Sequence, residues 1–288
     1  MADPKTDYAE PAYAQHQDKS KVPYYRSNLD DRISPDLKEL LETYSQIPRD
    51  QQSAHIHRIR DLAWAIRQYP CTGSGGWLKP QLRQLPIYPE ILTRAKEGAT
   101  IIDIGTFVGH DLRRLVYDGA SSEHLWGIDI VSHWDVSYEL FNDRSRWKGH
   151  FLEADFLTAA SSDAFAPLRA NTDVIVISQV LHQWVWAQQV RGATALVALT
   201  KPGSLVVGNQ MGKPDAGEVV PAGFTVPLYV QSPESFAKLW EEVGAATSTR
   251  WETQCWLRTW DHIGVDSKES AFMGPDVGIL EFVARRTD

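Results

Sequence analysis

From Thr100 onward the chain alternates short, almost wholly apolar runs with amphipathic helical stretches, and few folds accept that alternation. "TIIDIG", "LWGIDI", "GHFLEAD", "DVIVISQV" and "SLVVGNQ" read as five strands, with "HDLRRLVYDG", "DVSYELFND" and "WAQQVRGATALVAL" as helices between them. Strands apolar on both faces belong in a parallel sheet covered by helices on each side. "SPESFAKLWEEVG" reads as a further helix, with Ser232 as N-cap, Pro233 at its first position and Gly244 at its end. "STRWETQCWLRTW" and "VGILEFVARR" then follow with only a loop between them, as an antiparallel pair would. The expected architecture is α/β: a doubly wound, mostly parallel seven-stranded sheet closed by an antiparallel hairpin.

Residues 99–288 form this domain, and what precedes it is different. Residues 1–22 are polar, carry Pro4 and Pro11 and have no apolar period, so a mobile arm is expected. Residues 23–98 read as a helical cap. Ser34-Pro35 opens its first helix, with Leu37, Leu40, Leu41 and Tyr44 on one face. "QSAHIHRIRDLAWAIRQY" is the second, stopped by Pro70, after which "CTGSGG" reads as a loop. "PEILTRAKEG" is the third, with Gly98 as its C-cap.

Composition narrows the function. A net charge of -8 gives no footprint for a phosphate backbone, so nucleic acid is not an expected partner. The two cysteines, Cys71 and Cys255, have no metal-ligand spacing, and no metal site is expected. No apolar run approaches the roughly 18 residues of a membrane span, and the N-terminus lacks a signal-peptide core. A cytoplasmic protein with no membrane partner follows by elimination.

In a doubly wound sheet, ligands bind at the carboxyl ends of the strands, near the point where strand order reverses. The first strand leads into Asp103-Ile104-Gly105-Thr106-Phe107-Val108-Gly109-His110, a turn whose glycines allow close backbone approach to a ligand. The spacing resembles the first motif of class I methyltransferases, with Gly105 and Gly109 present and Phe107 in place of the middle glycine. A dinucleotide fingerprint fits worse, since the third glycine is missing. The second strand ends at Asp129, about twenty residues beyond the loop, where a carboxylate can accept both ribose hydroxyls. The third ends at Asp155-Phe156, an acceptor and an aromatic face suited to adenine. An aspartate at a strand end is also often a helix N-cap or turn former. Beyond the fourth strand and Ser178, "LHQWVW" brings His182, Trp184 and Trp186 to the same edge. His182 is the candidate general base, although a histidine at a helix start is more often structural; the tryptophans are candidate walls for a flat ligand, although for any single tryptophan core packing is the better reading.

From about Leu37 to the end, the chain resembles a family of fungal methyltransferases of meroterpenoid and related secondary-metabolite pathways. The resemblance is carried by "LLETYSQIP", "RDLAWAIRQYPC", "IIDIGTFVGHDLRRLVYDGA", "YELFNDR", "HQWVWAQQV", "NQMGKPDAGEV" and "FAKLWEEVG". It implies the Rossmann-like class I methyltransferase fold and S-adenosylmethionine as cofactor, along Asp103, Gly105, Phe107, Gly109, Asp129, Ile130, Asp155, Phe156 and Ser178. It also implies a hydrophobic polyketide- or terpenoid-derived substrate, methylated on oxygen, often of a carboxyl group. Candidate substrate contacts are Tyr25 in the arm, Trp184, Trp186, and Gln210 and Met211 in "NQMGKPDAGEV", which has the composition of a flap. Two alternatives stand beside this: a methyltransferase-like cyclase or isomerase that transfers no methyl group, favoured by the bulk of Phe107, and a non-enzymatic partner protein binding through the cap helices. A homodimer is the assembly left open.

Overall fold

The computed structural model describes Lys19, Val22, residues 24–221 and 227–263, and from 265 to 288 all but 267, 269, 271, 272 and 275. Most of the expected arm, residues 1–22, lies outside the described residues. The cap comprises α1 (Pro35–Thr43), α2 (Arg49–Ile66), a short α3 (Pro70–Ser74) and α4 (Tyr88–Lys96). Ser34 caps α1 as expected, its hydroxyl accepting from the Leu37 N–H. Pro70 does not stop α2, which already ends at Ile66; it opens α3, a position where its missing N–H costs nothing.

The α/β domain runs β1 (Ile101–Ile104), α5 (His110–Tyr117), β2 (Leu125–Asp129), α6 (Trp134–Phe141), β3 (His150–Glu153), β4 (Thr172–Ile177), α7 (Trp186–Val197) and β5 (Thr200–Gly212). A small hairpin of β6 (Gly217–Val219) and β7 (Leu228–Val230) precedes α8 (Pro233–Thr247), β8 (Trp251–Arg258) and β9 (Gly278–Arg286). The seven-stranded sheet has the order β3-β2-β1-β4-β5-β9-β8, parallel except where β9 pairs antiparallel with β5 and β8. Both the parallel core and the terminal antiparallel pair are therefore as the sequence pattern implies. The end of α8 differs as well. α8 continues through Gly244 to Thr247, because Gly244 serves close packing: a Cβ there would stand 2.6 Å from the Thr249 carbonyl oxygen.

Alternate residues of the central strands divide between two cores. Ile102, Ile104, Ile175, Ile177 and Val206 pack against α7 and α8 through Leu196, Phe236, Leu239 and Trp240. Ile101, Val174, Val176, Leu205 and Val207 pack against α4 and α5 through Ile91, Leu112 and Leu115. A third core joins cap to domain, with Leu37, Leu40, Ile56 and Ile59 meeting Phe107, Val108, Leu140 and Phe141.

Next to that junction lies a fully buried ion pair. Arg113 of α5 donates through Nε to Asp143 Oδ2 (3.0 Å), and both side chains are 0% exposed. The guanidinium is stacked 3.8 Å from the Trp147 ring centre and 4.4 Å from that of Trp134. Tyr44, immediately after α1, donates its hydroxyl to the same carboxylate (2.8 Å) and so ties the cap to the pair. Removing one partner strands a buried charge. Asp143→Ala should lower the unfolding free energy by about 3–5 kcal/mol in a urea titration, whereas Tyr44→Phe should cost about 1 kcal/mol.

Candidate active site

The sheet order sets the site. β3, β2, β1 and β4 are consecutive neighbours, so Asp155, Asp129, Asp103 and Ser178 fall in a row along one edge. Three strand spacings make that row about 14 Å long. Sequence order reverses between β1 and β4, and a cavity of about 470 Å³ opens there, within the range of about 300–1,000 Å³ usual for small-molecule sites. Among the expected cofactor residues, Asp103, Gly105, Phe107, Asp129, Ile130, Asp155, Phe156 and Ser178 line it, and His182 and Trp184 join them from beyond β4.

The loop after β1 is closed on itself. The N–H groups of Gly105 and Thr106 donate to the Ile128 carbonyl (2.8 and 3.2 Å), and that of Gly109 donates to Thr106 (2.7 Å). The Phe107 N–H donates to Asp129 Oδ2 (2.9 Å). These four amides are thus not offered to a ligand, contrary to the close backbone approach expected of a phosphate-type loop. A pyrophosphate would find carboxylates here instead: Asp103, Asp111, Asp129 and Asp155 all face the cavity. That charge pattern suits a cationic ligand such as a sulfonium with an ammonium group. Phe107 takes the left-handed backbone conformation (φ 51°), and its ring packs on Trp77 (6.0 Å) and His133 (4.7 Å). The cap core therefore absorbs the bulk on which the non-transferring alternative rested.

Burial governs the acids. Desolvation holds the Asp103 carboxyl well above the usual range, and the neighbouring Asp111 charge adds to this; Thr106 Oγ1 donates to it at 2.8 Å. Burial also raises Asp111, which accepts the Leu82 N–H (3.0 Å). Asp129 is pushed up to about 6 by burial, partly offset by donation from the Phe107 and Val131 amides. Asp155 also caps a turn, accepting the Leu157 N–H (2.9 Å), and Phe156 lies 5.8 Å from Trp184. The Ser178 hydroxyl is buried without a hydrogen-bond partner among the described residues, as is Nδ1 of His182. Burial drives the His182 imidazole down to about 4.

Five expected residues lie elsewhere. Gly109 (φ 62°) supports packing: a Cβ there would lie 2.6 Å from Arg113 Nη1 and 2.8 Å from the Trp134 ring. Tyr25 turns away to Asp61 (2.9 Å) and packs edge-to-face with Trp64, while its neighbours Tyr24 and Arg26 reach the cavity. Trp186 donates to Glu242 (3.1 Å) and packs on Tyr229. Gln210 and Met211 belong to β5, 1% and 0% exposed, so residues 209–212 are sheet core and not flap. The cap and the C-terminal segment supply walls the motifs did not single out, notably Gln81 and Met273. Gln81 stands in "LKPQLRQLP", which has no periodicity that would mark it. No metal-binding cluster occurs among the described residues, and no helix there is long and apolar enough to cross a membrane.

A parallel sheet with this strand order and acidic tips on β1, β2 and β3 defines a class I methyltransferase, the S-adenosylmethionine-dependent class. The comparisons agree. Phosphoethanolamine N-methyltransferase 2 of Haemonchus contortus superposes with a TM-score of 0.53 at 12% identity, over 88% of this chain and 60% of that one. A 1,6-didemethyltoxoflavin-N1-methyltransferase of Burkholderia thailandensis gives 0.50 at 15% identity, over 82% and 89%. At such identities the likeness establishes the fold. Residues 24–78 match the meroterpenoid methyltransferase N-terminal domain. O-methyltransferase phiE of Fungal sp. (strain ATCC 74256) is 36% identical over 81% of this chain and 79% of its own. Asnovolin E/Chermesin D methyltransferase nvfJ of Aspergillus novofumigatus is 32% identical over 84% and 88%. The chain belongs to this fungal meroterpenoid methyltransferase family and is a methyltransferase.

A carboxyl raised above its unfolded value of about 3.9 favours the folded state at low pH, and that advantage is lost as pH rises towards 6. In carbon-13 NMR the Asp129 carboxyl should titrate near 6, and Asp129→Asn should flatten the stability profile between pH 4 and 6. An Asp129 titration at about 4 would show an ordinary solvated carboxylate.

Proposed function

We propose that the protein transfers a methyl group from S-adenosylmethionine to a carboxylate oxygen of a hydrophobic, polyketide- or terpenoid-derived acid. The observation that carries the choice of acceptor is His182. An imidazole lowered to about 4, with no carboxylate partner among the described residues, is a weak base at neutral pH. A hydroxyl acceptor needs its proton removed as the bond forms, and a good general base for that has a pKa near the working pH. A carboxylate is already ionised and needs none.

The sulfonium of bound S-adenosylmethionine supplies an electrophilic methyl group. Asp129 would hold the ribose hydroxyls, Asp155 and Phe156 the adenine, and Asp103 and the unpartnered Ser178 hydroxyl the amino-acid end. Orientation of acceptor against methyl carbon supplies most of the rate in such an in-line displacement. Trp77, Trp184, Trp260 and Met273 give the rest of the cavity an aromatic and apolar wall that suits a hydrophobic acid and excludes water. The family match and the names of the O-methyltransferase relatives support the same reading.

Incubation with methyl-labelled cofactor and aromatic or terpenoid acids should yield label that alkali releases, as from an ester. Alkali-stable label would mark a hydroxyl acceptor. Asp129→Ala should weaken S-adenosylmethionine binding by about 1–3 kcal/mol in calorimetry. His182→Ala should leave turnover of a carboxylate nearly unchanged, and a large loss would make His182 part of the chemistry.

A further inference from the structure

Beside the strand-tip carboxylates, the cavity wall carries two amide side chains, Gln179 and Gln81, linked through the buried Asn209, that the cofactor and acceptor reading leaves without a role. Gln179 Nε2 donates to Asn209 Oδ1 (2.7 Å), and Asn209 Nδ2 donates to Gln81 Oε1 (2.6 Å). The backbone holds both ends. The Gln179 N–H donates to the Asn209 carbonyl (2.7 Å), and Asp111 accepts the N–H of Leu82, the residue after Gln81. Gln179 sits at φ 58°, a conformation disfavoured for residues with side chains and maintained here by those bonds. Asn209 and Gln81 are 1% and 9% exposed.

A side-chain amide has one oxygen acceptor and two N–H donors. Donation along the chain occupies the oxygens of Asn209 and Gln81, which leaves Gln81 Nε2 as its free end. Gln81 faces the cavity, and its Nε2 has no partner among the described residues. We propose that Gln81 Nε2 holds the acceptor carboxylate of the substrate, with Asn209 and Gln179 as positioning residues that aim it. This rests on the carboxylate reading above.

The chemistry fits the surroundings. An anionic acceptor next to Asp103, Asp111 and Asp129 needs a donor directed at it, and Arg26, a cation on the wall, is paired with Asp31 (2.7 Å). A neutral amide donates without placing a further positive charge beside a sulfonium. Hydrogen bonds to a charged acceptor are about twice as strong as those to a neutral one. Gln81 therefore retains the carboxylate and releases the methyl ester, so the same contact separates substrate from product.

The test measures binding of 4-biphenylcarboxylate and of its methyl ester to the full chain saturated with S-adenosylhomocysteine. The wild-type complex should prefer the carboxylate by about tenfold or more. Gln81→Met should bring the two affinities to within about twofold while S-adenosylhomocysteine affinity holds. Gln81→Glu keeps the acceptor for Asn209 but presents oxygen to the cavity, and should reverse the preference. Asn209→Asp, which touches no ligand, should turn the Gln81 donor onto the new carboxylate and abolish the preference in the same way. A wild-type preference that survives in Gln81→Met overturns the Gln81 assignment alone. A joint loss of S-adenosylhomocysteine binding also overturns it, since Gln81 would then support the cofactor site. A wild-type complex with no preference removes the carboxylate reading itself.

Discussion

Arg113 and Asp143 form a charge pair with no exposure to solvent, and the relation of cap, glycine loop and sheet depends on it. The guanidinium sits in the corner made by the Trp134 and Trp147 rings, whose planes stand 70° apart, so it is held by both rings as well as by the carboxylate. Gly109, where the loop enters α5, packs against both Arg113 and Trp134, and any side chain there would displace them. Tyr44 brings α1 to the same carboxylate. The start of α5, the loop after β1 and the cap thus all meet at one buried charge pair.

With the loop so held, four carboxyl groups face the cavity. The amides of Gly105, Thr106, Phe107 and Gly109 are satisfied within the protein, and the wall is acidic. A cationic cofactor relieves that charge and a pyrophosphate would aggravate it. Burial keeps Asp103 and Asp111 above the usual carboxyl range, and the same burial leaves His182 neutral.

The site was legible in the sequence where residues lie at the ends of apolar strands. Asp103, Asp129, Asp155 and Ser178 each follow such a run, and strand order places all four at one edge. Legibility failed where a side chain's direction depends on its neighbours. Tyr25 and Tyr24 are adjacent, yet only Tyr24 reaches the cavity, because Tyr25 is drawn to Asp61, Arg60 and Trp64. The polar composition of "NQMGKPDAGEV" suggested a flap, but β9 pairs with its first four residues and carries them into the sheet.

The sequence alone determined the alternation of strand and helix, the antiparallel ending and the acidic strand tips, because apolar period and turn residues are local properties of the chain. Only the tertiary structure decided which residues the cavity receives from the cap. Gln81 and Asn209 are 128 positions apart, and their contact exists only once the cap has docked on the sheet. The same docking turned the Phe107 ring into the cap core. No periodicity encodes such contacts, since they form between elements whose relative placement the whole packed core decides.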